Sequence, residues 1–126
     1  MPNKNYQRGF SAEKRCQEEL EKMGYWSSRS YGSKGCFDVI AVAQNQPVRL
    51  IEVKRSKKYV LKQQSIENKY EMSLTNLNMI PDGSAIKKEL WVWFDKQGKV
   101  GDKKYQPAHW EKFAVTRVMI VRMKES

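Results

Sequence analysis

Cysteine, histidine and long hydrophobic runs are scarce in this sequence. Its 126 residues contain two cysteines and one histidine, too few for a disulfide framework or for a zinc site built from these residues alone. We expect Cys16 and Cys36 to be reduced thiols in an intracellular protein. No apolar run is long enough to span a membrane, and the opening MPNKNYQRGF lacks the hydrophobic stretch of a signal peptide. No targeting signal is visible, so a cellular and a viral origin both stay open.

Acidic residues are outnumbered as well. The chain has 14 Asp and Glu against 24 Lys and Arg, for a formal net charge of +10. An excess of this size predicts a polyanionic partner. An anionic membrane surface fits less well, because no predicted helix is apolar on one face and basic on the other. The length predicts a single domain over 1–126, in which the polar and basic residues 1–9 form a flexible arm.

The spacing of apolar residues predicts two helices and several strands. The first helix begins at Ser11, a plausible N-cap, and stops before Gly24. Apolar residues line one face of it: Ala12, Cys16, Leu20 and Met23. A second helix is predicted over 60–72, followed by an irregular segment over 73–84. Runs rich in aromatic and β-branched residues predict further strands at 25–30, 89–95 and 114–121.

The stretch FDVIAVAQNQPVRLIEVK, residues 37–54, is typical of two strands joined by a short polar turn. Asp38 stands at the head of the first strand, and Glu52 and Lys54 close the second. Because side chains alternate along a strand, Glu52 and Lys54 share one face. Charged side chains inside an apolar strand are costly to bury without compensation. A metal ion together with a phosphate group would compensate them.

These three residue types suit the hydrolysis of a phosphodiester. Carboxylates from two neighbouring strands make an oxygen-rich site that Mg²⁺ prefers. A lysine beside them can orient the attacking water or stabilise the developing charge. The alternative is an ordinary hairpin in which Glu52 and Lys54 form an ion pair on a solvated face. Glu-x-Lys alone favours that alternative, and the preceding Asp38 brings the nuclease interpretation level with it.

Segments on either side of the hairpin have two interpretations each. Glu13 is either a partner of the helix dipole or a third carboxylate that leans over the site. The loop YGSKG, with Ser33 and Lys34, is either a simple glycine turn or a phosphate-binding one. The basic run RSKKYVLKQ is either a solvated face or a DNA contact, and its position beside the hairpin favours contact. Its cationic residues are Arg55, Lys57, Lys58 and Lys62.

Several other residues are given structural roles. Gln63 is interpreted as a surface residue, whereas Gln64 is left between the surface and the scissile phosphate. The aromatic residues of the strand over 89–95 are interpreted as core or subunit interface rather than as platforms for bases. His109 has no other candidate ligand near it in sequence and is interpreted as structural or exposed.

In its order of helix, three strands, helix and two strands, the chain resembles the PD-(D/E)XK nuclease superfamily. Within that superfamily it resembles the archaeal-type Holliday-junction resolvases. The resemblance rests on RGFSAEKRCQEELEKMGY, RSYGSKGCFDVIAV and LIEVKRSKK, which together span residues 8–58. It implies an α/β fold with a restriction-endonuclease-like core, in which helices flank a central mixed five-stranded sheet.

The resemblance also implies a role for each residue that matches the family motif. Asp38 and Glu52 would bind the metal, with the backbone carbonyl of Val53 as a further ligand. Lys54 would be the catalytic lysine, and Glu13 would complete the acidic site. The metal would be Mg²⁺, for which Mn²⁺ would substitute.

Further positions match residues near the DNA. Ser33 matches a serine that resolvases of this type use close to the scissile phosphate, and Arg8 and Arg29 match basic positions near the DNA. One departure is Phe37, which replaces the proline common before the metal-binding aspartate; the aspartate supplies the chemistry, so the change is tolerable. The C-terminal half, including 97–113, matches only loosely and leaves the dimer contacts open.

The function implied is that of a structure-selective, metal-dependent endonuclease. It would resolve four-way DNA junctions by paired symmetric cleavage, as a homodimer with one site per subunit. One alternative is another nuclease of the same fold that acts in repair, nicking or restriction. The other is a non-catalytic nucleic-acid-binding module in which Glu52 and Lys54 form only an ion pair.

Overall fold

The computed structural model describes residues 4–30, 35–59 and 62–124, with the backbone alone for 4–10. Within these residues helices and strands follow one another in the order α1 (Lys4–Lys22), β1 (Trp26–Arg29), β2 (Val39–Val42), β3 (Val48–Ser56), α2 (Gln63–Lys69), α3 (Glu71–Leu77), β4 (Ile86–Phe94), β5 (His109–Val115) and β6 (Ile120–Arg122).

The described strands form one six-stranded sheet in the order β1-β2-β3-β4-β5-β6. Neighbouring strands are antiparallel except for β3 and β4, which are parallel. Parallel neighbours need a long crossover connection, which α2 and α3 supply. The prediction of a mixed sheet flanked by helices is therefore confirmed.

The prediction of five strands is wrong, because the C-terminal strand is really a pair. β5 begins at His109, within a segment to which no strand was assigned, and ends at Val115. The chain then turns through 116–119, where the Thr116 N–H donates to the Met119 carbonyl at 2.8 Å. β6 follows on the other side of this turn. A single strand is predicted over 114–121 because most residues of that range are apolar, and this pattern does not indicate the turn.

Helix α1 is longer than predicted. It begins at Lys4, so Ser11 lies inside the helix and is not its N-cap, and residues 4–9 are helical rather than a flexible arm. The polar composition of 4–9 predicts flexibility, but Lys, Gln and Arg are also good helix formers. The predicted stop is confirmed: Gly24 has a φ of 90°, and the Tyr25 N–H closes the end on the Leu20 carbonyl at 2.9 Å.

The predicted helix over 60–72 is two short helices, and the segment after it is not irregular. The backbone bends at Tyr70, whose φ of −114° and ψ of 30° end α2. α3 then runs to Leu77. Tyr70, Leu74 and Leu77 are spaced like one face of a helix and all contact the core. Thr75 and Asn76, which lie between them, obscure this pattern in the sequence.

Each face of the sheet packs against helices to form a hydrophobic core. On one side, α1 covers a cluster made of Ala12, Cys16, Leu20, Val39, Ala41, Ile51, Val53 and Trp91. On the other side, α2 and α3 cover a second cluster, which includes Ile66, Tyr70, Leu77, Leu90, Val92, Phe94 and Phe113. Ile51 and Val53 thus point away from the face of Glu52, as alternation predicts.

Structural roles for the aromatic residues and His109 are confirmed within this core. Trp91 and Phe94 are fully buried, and the Arg15 guanidinium lies over Trp93, 4.2 Å from the ring centroid. His109 stacks on Phe94, and its Nδ1 is 2.9 Å from the Pro107 carbonyl oxygen. In the part of the chain that the structure describes, no helix combines the length and hydrophobicity needed to cross a bilayer.

Candidate active site

Asp38 is fixed to β3 by a pair of hydrogen bonds. Its backbone N–H donates to the Ile51 carbonyl at 2.8 Å. Its side-chain Oδ2 accepts the Val53 N–H, also at 2.8 Å. The carboxylate thus takes the place of a backbone acceptor at the end of the β2–β3 ladder. Because Glu52 lies between Ile51 and Val53, these bonds hold the two carboxylates beside each other.

Glu52 is a buried acid in the middle of a sheet. The residue is 8% exposed, and its Oε1 lies 3.5 Å from the Lys54 Nζ. That distance is longer than a good charge-assisted hydrogen bond. The Lys54 side chain is 37% exposed, against 10% for the Glu52 side chain. The lysine is therefore in contact with solvent and compensates the buried acid only in part.

Burial, and then the Asp38 carboxylate, raise the pKa of Glu52 to about 7, while Lys54 lowers it. A buried acid beside a second carboxylate is hard to ionise, because burial removes water from it and the two negative charges repel each other. A perturbed carboxyl group of this kind is typical of functional sites. A bound cation would reduce the repulsion between the Asp38 and Glu52 carboxylates.

Glu13, on α1, lies near Asp38, and its carboxylate already forms hydrogen bonds with Arg29. Its Oε2 accepts hydrogen bonds from the Arg29 Nη2 at 2.6 Å and from the Arg29 Nε at 3.0 Å. Burial raises the pKa of Glu13, Arg29 opposes that shift, and the Asp38 carboxylate adds to it. Glu13 is thus close enough to Asp38 for the two carboxylates to interact electrostatically. Arg29, predicted to lie near DNA, binds a carboxylate of the protein itself.

The oxygen atoms present fit a divalent metal as a partial ligand set. Among the described residues, no three Asp, Glu, His or Cys side chains form a group ready to hold a metal ion. Asp38 and Glu52 supply hard oxygen donors, and Mg²⁺ commonly binds through one or two carboxylates while keeping several waters. Metal roles for Glu13 and for the Val53 carbonyl stay predictions.

The predicted basic run follows directly from β3. Arg55, Lys57, Lys58 and Lys62 are all exposed. Arg55 is held by an ion pair, its Nε lying 2.9 Å from Asp95 Oδ1. Lys57, Lys58 and Lys62 form no ion pair with a described residue. Arg55 lies near the end of β3, and Lys57 and Lys58 directly follow the strand that carries Glu52 and Lys54.

Three predicted residues cannot be placed in the site. Ser33 and Lys34 lie outside the described residues, and of Arg8 only the backbone is described, within α1. Their predicted roles stay predictions. Gln63 is exposed as predicted and donates through Nε2 to the Ile120 carbonyl. Gln64 is exposed as well.

Sequence reasoning missed residues that support the site from a distance. The Lys69 Nζ donates to the Ser56 Oγ at 2.8 Å, which ties α2 to the end of β3. Asp95 orients Arg55, and its N–H donates to the Ser56 carbonyl at 2.9 Å. Gln97 donates to the Lys57 carbonyl. The contacts of Asp95 and Gln97 join segments about 40 residues apart in sequence, and no local pattern signals them.

Comparison of the sequence with protein-family models gives no match, and comparison with curated proteins gives none either. The fold is that of the PD-(D/E)XK nucleases. Among solved structures, the chain is similar to Archaeoglobus fulgidus Hjc, a Holliday junction resolvase from an archaeal hyperthermophile. The TM-score is 0.53 at 20% identity, over 85% of this chain and 72% of that one. The predicted resemblance is thus confirmed at the level of the fold.

Proposed function

We propose that this chain is a divalent-metal-dependent endonuclease that resolves four-way DNA junctions. The observation that carries the proposal is the buried carboxyl group of Glu52 beside the half-buried Asp38, with Lys54 next to it. A solvated ion pair would leave Glu52 exposed with a close lysine partner, whereas here the acid is buried and its pKa is raised to about 7. The fold shared with an archaeal resolvase supports the same conclusion.

The protein's own residues would act in three ways. Asp38 and Glu52 would hold Mg²⁺, with Mn²⁺ as a substitute, and the Val53 carbonyl would be a further ligand. When bound, such an ion supplies Lewis acidity and lowers the pKa of a coordinated water. Lys54, which is partly exposed at the mouth of the site, would orient the attacking water or stabilise the developing phosphate charge.

Glu13 would act together with Arg29. In the structure the Arg29 guanidinium donates two hydrogen bonds to the Glu13 carboxylate. Arg29 would release Glu13 toward the metal when a DNA phosphate takes its place, since phosphate is also a good partner for a planar guanidinium. The predicted role of Glu13 as a metal ligand would then depend on the predicted contact of Arg29 with DNA.

The proposed substrate is branched DNA inside the cell. The net charge of +10 and the exposed cations after β3 favour contacts with phosphates rather than with base edges. Symmetric cleavage of a four-way junction needs two sites, which a twofold homodimer would supply. Recognition would then follow the shape of the junction.

The test uses the purified chain with a labelled immobile four-way junction and a matched linear duplex. Each DNA is incubated with Mg²⁺, with Mn²⁺ and with EDTA, and with the Asp38→Asn variant as a control for the site. Glu18→Gln, on the exposed face of α1, is the matched control for loss of one carboxylate. We expect paired symmetric nicks on the junction, lost in EDTA and in Asp38→Asn and kept in Glu18→Gln.

Other outcomes would identify a different protein. Equal cutting of duplex and junction would indicate a general nuclease of the same fold. Tight binding without cutting at any metal concentration or pH would indicate a binding module in which Glu52 and Lys54 form only an ion pair. Measuring the mass of the complex in solution tests the proposed dimer separately.

A further inference from the structure

The loop between β4 and β5 is strongly basic, and its lysines have no role in the site described above. Residues 96–104 read KQGKVGDKK, with four lysines and one aspartate. All four lysines are exposed: Lys96, Lys99, Lys103 and Lys104. None of them forms an ion pair with a described residue. Their charge is therefore available to a partner.

This loop has a defined shape. Gln97 and Gln106 pair through reciprocal backbone hydrogen bonds, each of 2.8 Å, which close its base. Inside it, the Asp102 N–H donates to the Lys99 carbonyl at 2.9 Å, and the Tyr105 N–H donates to the Asp102 carbonyl at 3.0 Å. Lys99, Lys103 and Lys104 are thus carried on two consecutive turns, which lowers the entropy lost when a ligand orders them.

Contacts at the base fix the loop beside the active-site strand. β3 and β4 are parallel, so their carboxyl ends meet at one edge of the sheet. There the Gln97 Nε2 donates to the Lys57 carbonyl and to the Asp95 carbonyl at 2.9 Å. Asp95 in turn holds Arg55. The basic loop is therefore continuous with the basic run that follows Lys54.

The positive charge is not spread evenly over the protein. The outer surface of α1 carries Glu18 and Glu21 against Lys14. The hollow between α3 and the β5–β6 turn is lined by Glu67 and Glu71 against Arg117. At the carboxyl edge of β3 and β4, exposed lysines dominate instead. A cationic surface that continues from a phosphodiester-cleaving site suits the backbone of the nucleic acid being cleaved.

We propose that residues 96–104 form a second phosphate-binding surface, which grips the DNA backbone next to the proposed cleavage site. The inference rests on the proposed function, because it takes DNA as the ligand. It assigns the loop to substrate affinity and not to chemistry. The loop contributes sequence-independent contacts, and Gln97 is a positioning residue that holds it against β3.

The test measures binding of the full-length protein to a labelled four-way junction in EDTA, so that no strand is cut. Lys99→Ala combined with Lys103→Ala is compared with Lys22→Ala combined with Lys87→Ala, which removes the same charge from exposed positions elsewhere. Affinity is measured over a range of salt concentrations. Lys99→Arg combined with Lys103→Arg tests whether charge alone restores binding.

Each phosphate contact contributes about 0.9 to the slope of log affinity against log salt. We expect the loop pair to reduce that slope by about 2 for each subunit bound and to weaken binding about tenfold or more near physiological salt. The control pair should leave the slope unchanged within error, and the arginine pair should keep it.

Equal slopes for the loop pair and the control pair would overturn the inference while leaving the proposed function standing. Failure of the unmodified protein to bind the junction would overturn both. Loss of affinity in the arginine pair as large as in the alanine pair would also overturn the inference, because phosphate binding depends on charge. Circular dichroism of every variant verifies that the fold is intact.

Discussion

Replacing Glu52 with glutamine should stabilise the metal-free protein at alkaline pH. Glu52 is buried beside Asp38 and has a pKa raised from 4.5 to about 7. Glutamine has nearly the same shape and no charge, so the variant keeps the packing and removes the cost of ionising a buried acid. A gain of stability on removal of the Glu52 charge would show that the site needs a positive charge that the protein alone does not supply.

The magnitude follows from the shift in pKa. The folded state holds the Glu52 proton more tightly than the unfolded chain, so the free energy of unfolding falls as pH rises from about 4.5 to about 7 and is level above that. Each pKa unit corresponds to about 1.36 kcal/mol. Ionised Glu52 therefore costs about 3 kcal/mol at pH 8, and less than about 1 kcal/mol at pH 5.

The assay is urea unfolding in EDTA near pH 5 and near pH 8, about the two ends of that window. The Glu52→Gln variant should gain about 2 to 3 kcal/mol more over the unmodified protein at the higher pH than at the lower. Glu18→Gln, exposed on α1, should show no such difference. Adding Mg²⁺ should stabilise the unmodified protein and not the Glu52→Gln variant.

A gain that is the same at both pH values would refute this reasoning. It would mean that Lys54, despite its distance of 3.5 Å, already neutralises Glu52 in the folded chain. The trio would then be an ordinary salt-bridged hairpin, and the proposed metal site would lose its main support. A change in the slope of the urea curve would instead point to a change in the unfolded or native state.

Four further substitutions test the packing and backbone conformation of the fold. Glu89→Gln should cost about 3 to 5 kcal/mol in urea unfolding, because it removes the negative charge that faces the buried Arg49 guanidinium; a cost below about 1 kcal/mol would contradict this. Leu77→Ala should cost about 2 to 5 kcal/mol by the same assay, since Leu77 is fully buried, and a neutral result would mean that α3 is not docked. Gly101→Ala should cost about 1 to 2 kcal/mol for its positive φ, and Gly98→Ala should cost more in thermal unfolding because its Cβ would also lie 3.3 Å from backbone. Equal losses would show that this contact relaxes.

The central hairpin could be predicted from the sequence because its signals are local. Asp38 stands just before β2, Glu52 and Lys54 alternate with buried residues of β3, and the connecting turn is short. The period of two along each strand assigns the faces. The prediction that Glu52 lies inside the sheet needed only this pattern.

Long-range pairing accounts for what could not be predicted. The parallel pairing of β3 with β4 brings Arg55 to Asp95 and Gln97 to Lys57, both across 40 residues of sequence. No periodicity in the chain signals these partners. The ion pair of Glu13 with Arg29, 16 residues apart, depends likewise on how α1 docks over β1.

Helix boundaries failed for a different reason. Residues 4–9 are polar and were predicted to be a flexible arm, yet the backbone there is helical. In α3, apolar residues spaced for a helix were hidden among residues typical of turns. In both cases the composition of a short segment does not predict that the segment is part of a helix.

The position of Asp38, Glu52 and Lys54 within one hairpin has a consequence for folding. β2 and β3 are joined by a short connection, whereas β3 and β4 meet only after α2 and α3 have crossed between them. Closing a short loop costs little entropy, and pairing of distant segments is slow. During synthesis the chain emerges from its N-terminus, so the hairpin is complete before β4 exists. We therefore expect the acidic pair to reach its register early, and the docking of the second half of the sheet to limit the rate at which the protein becomes native.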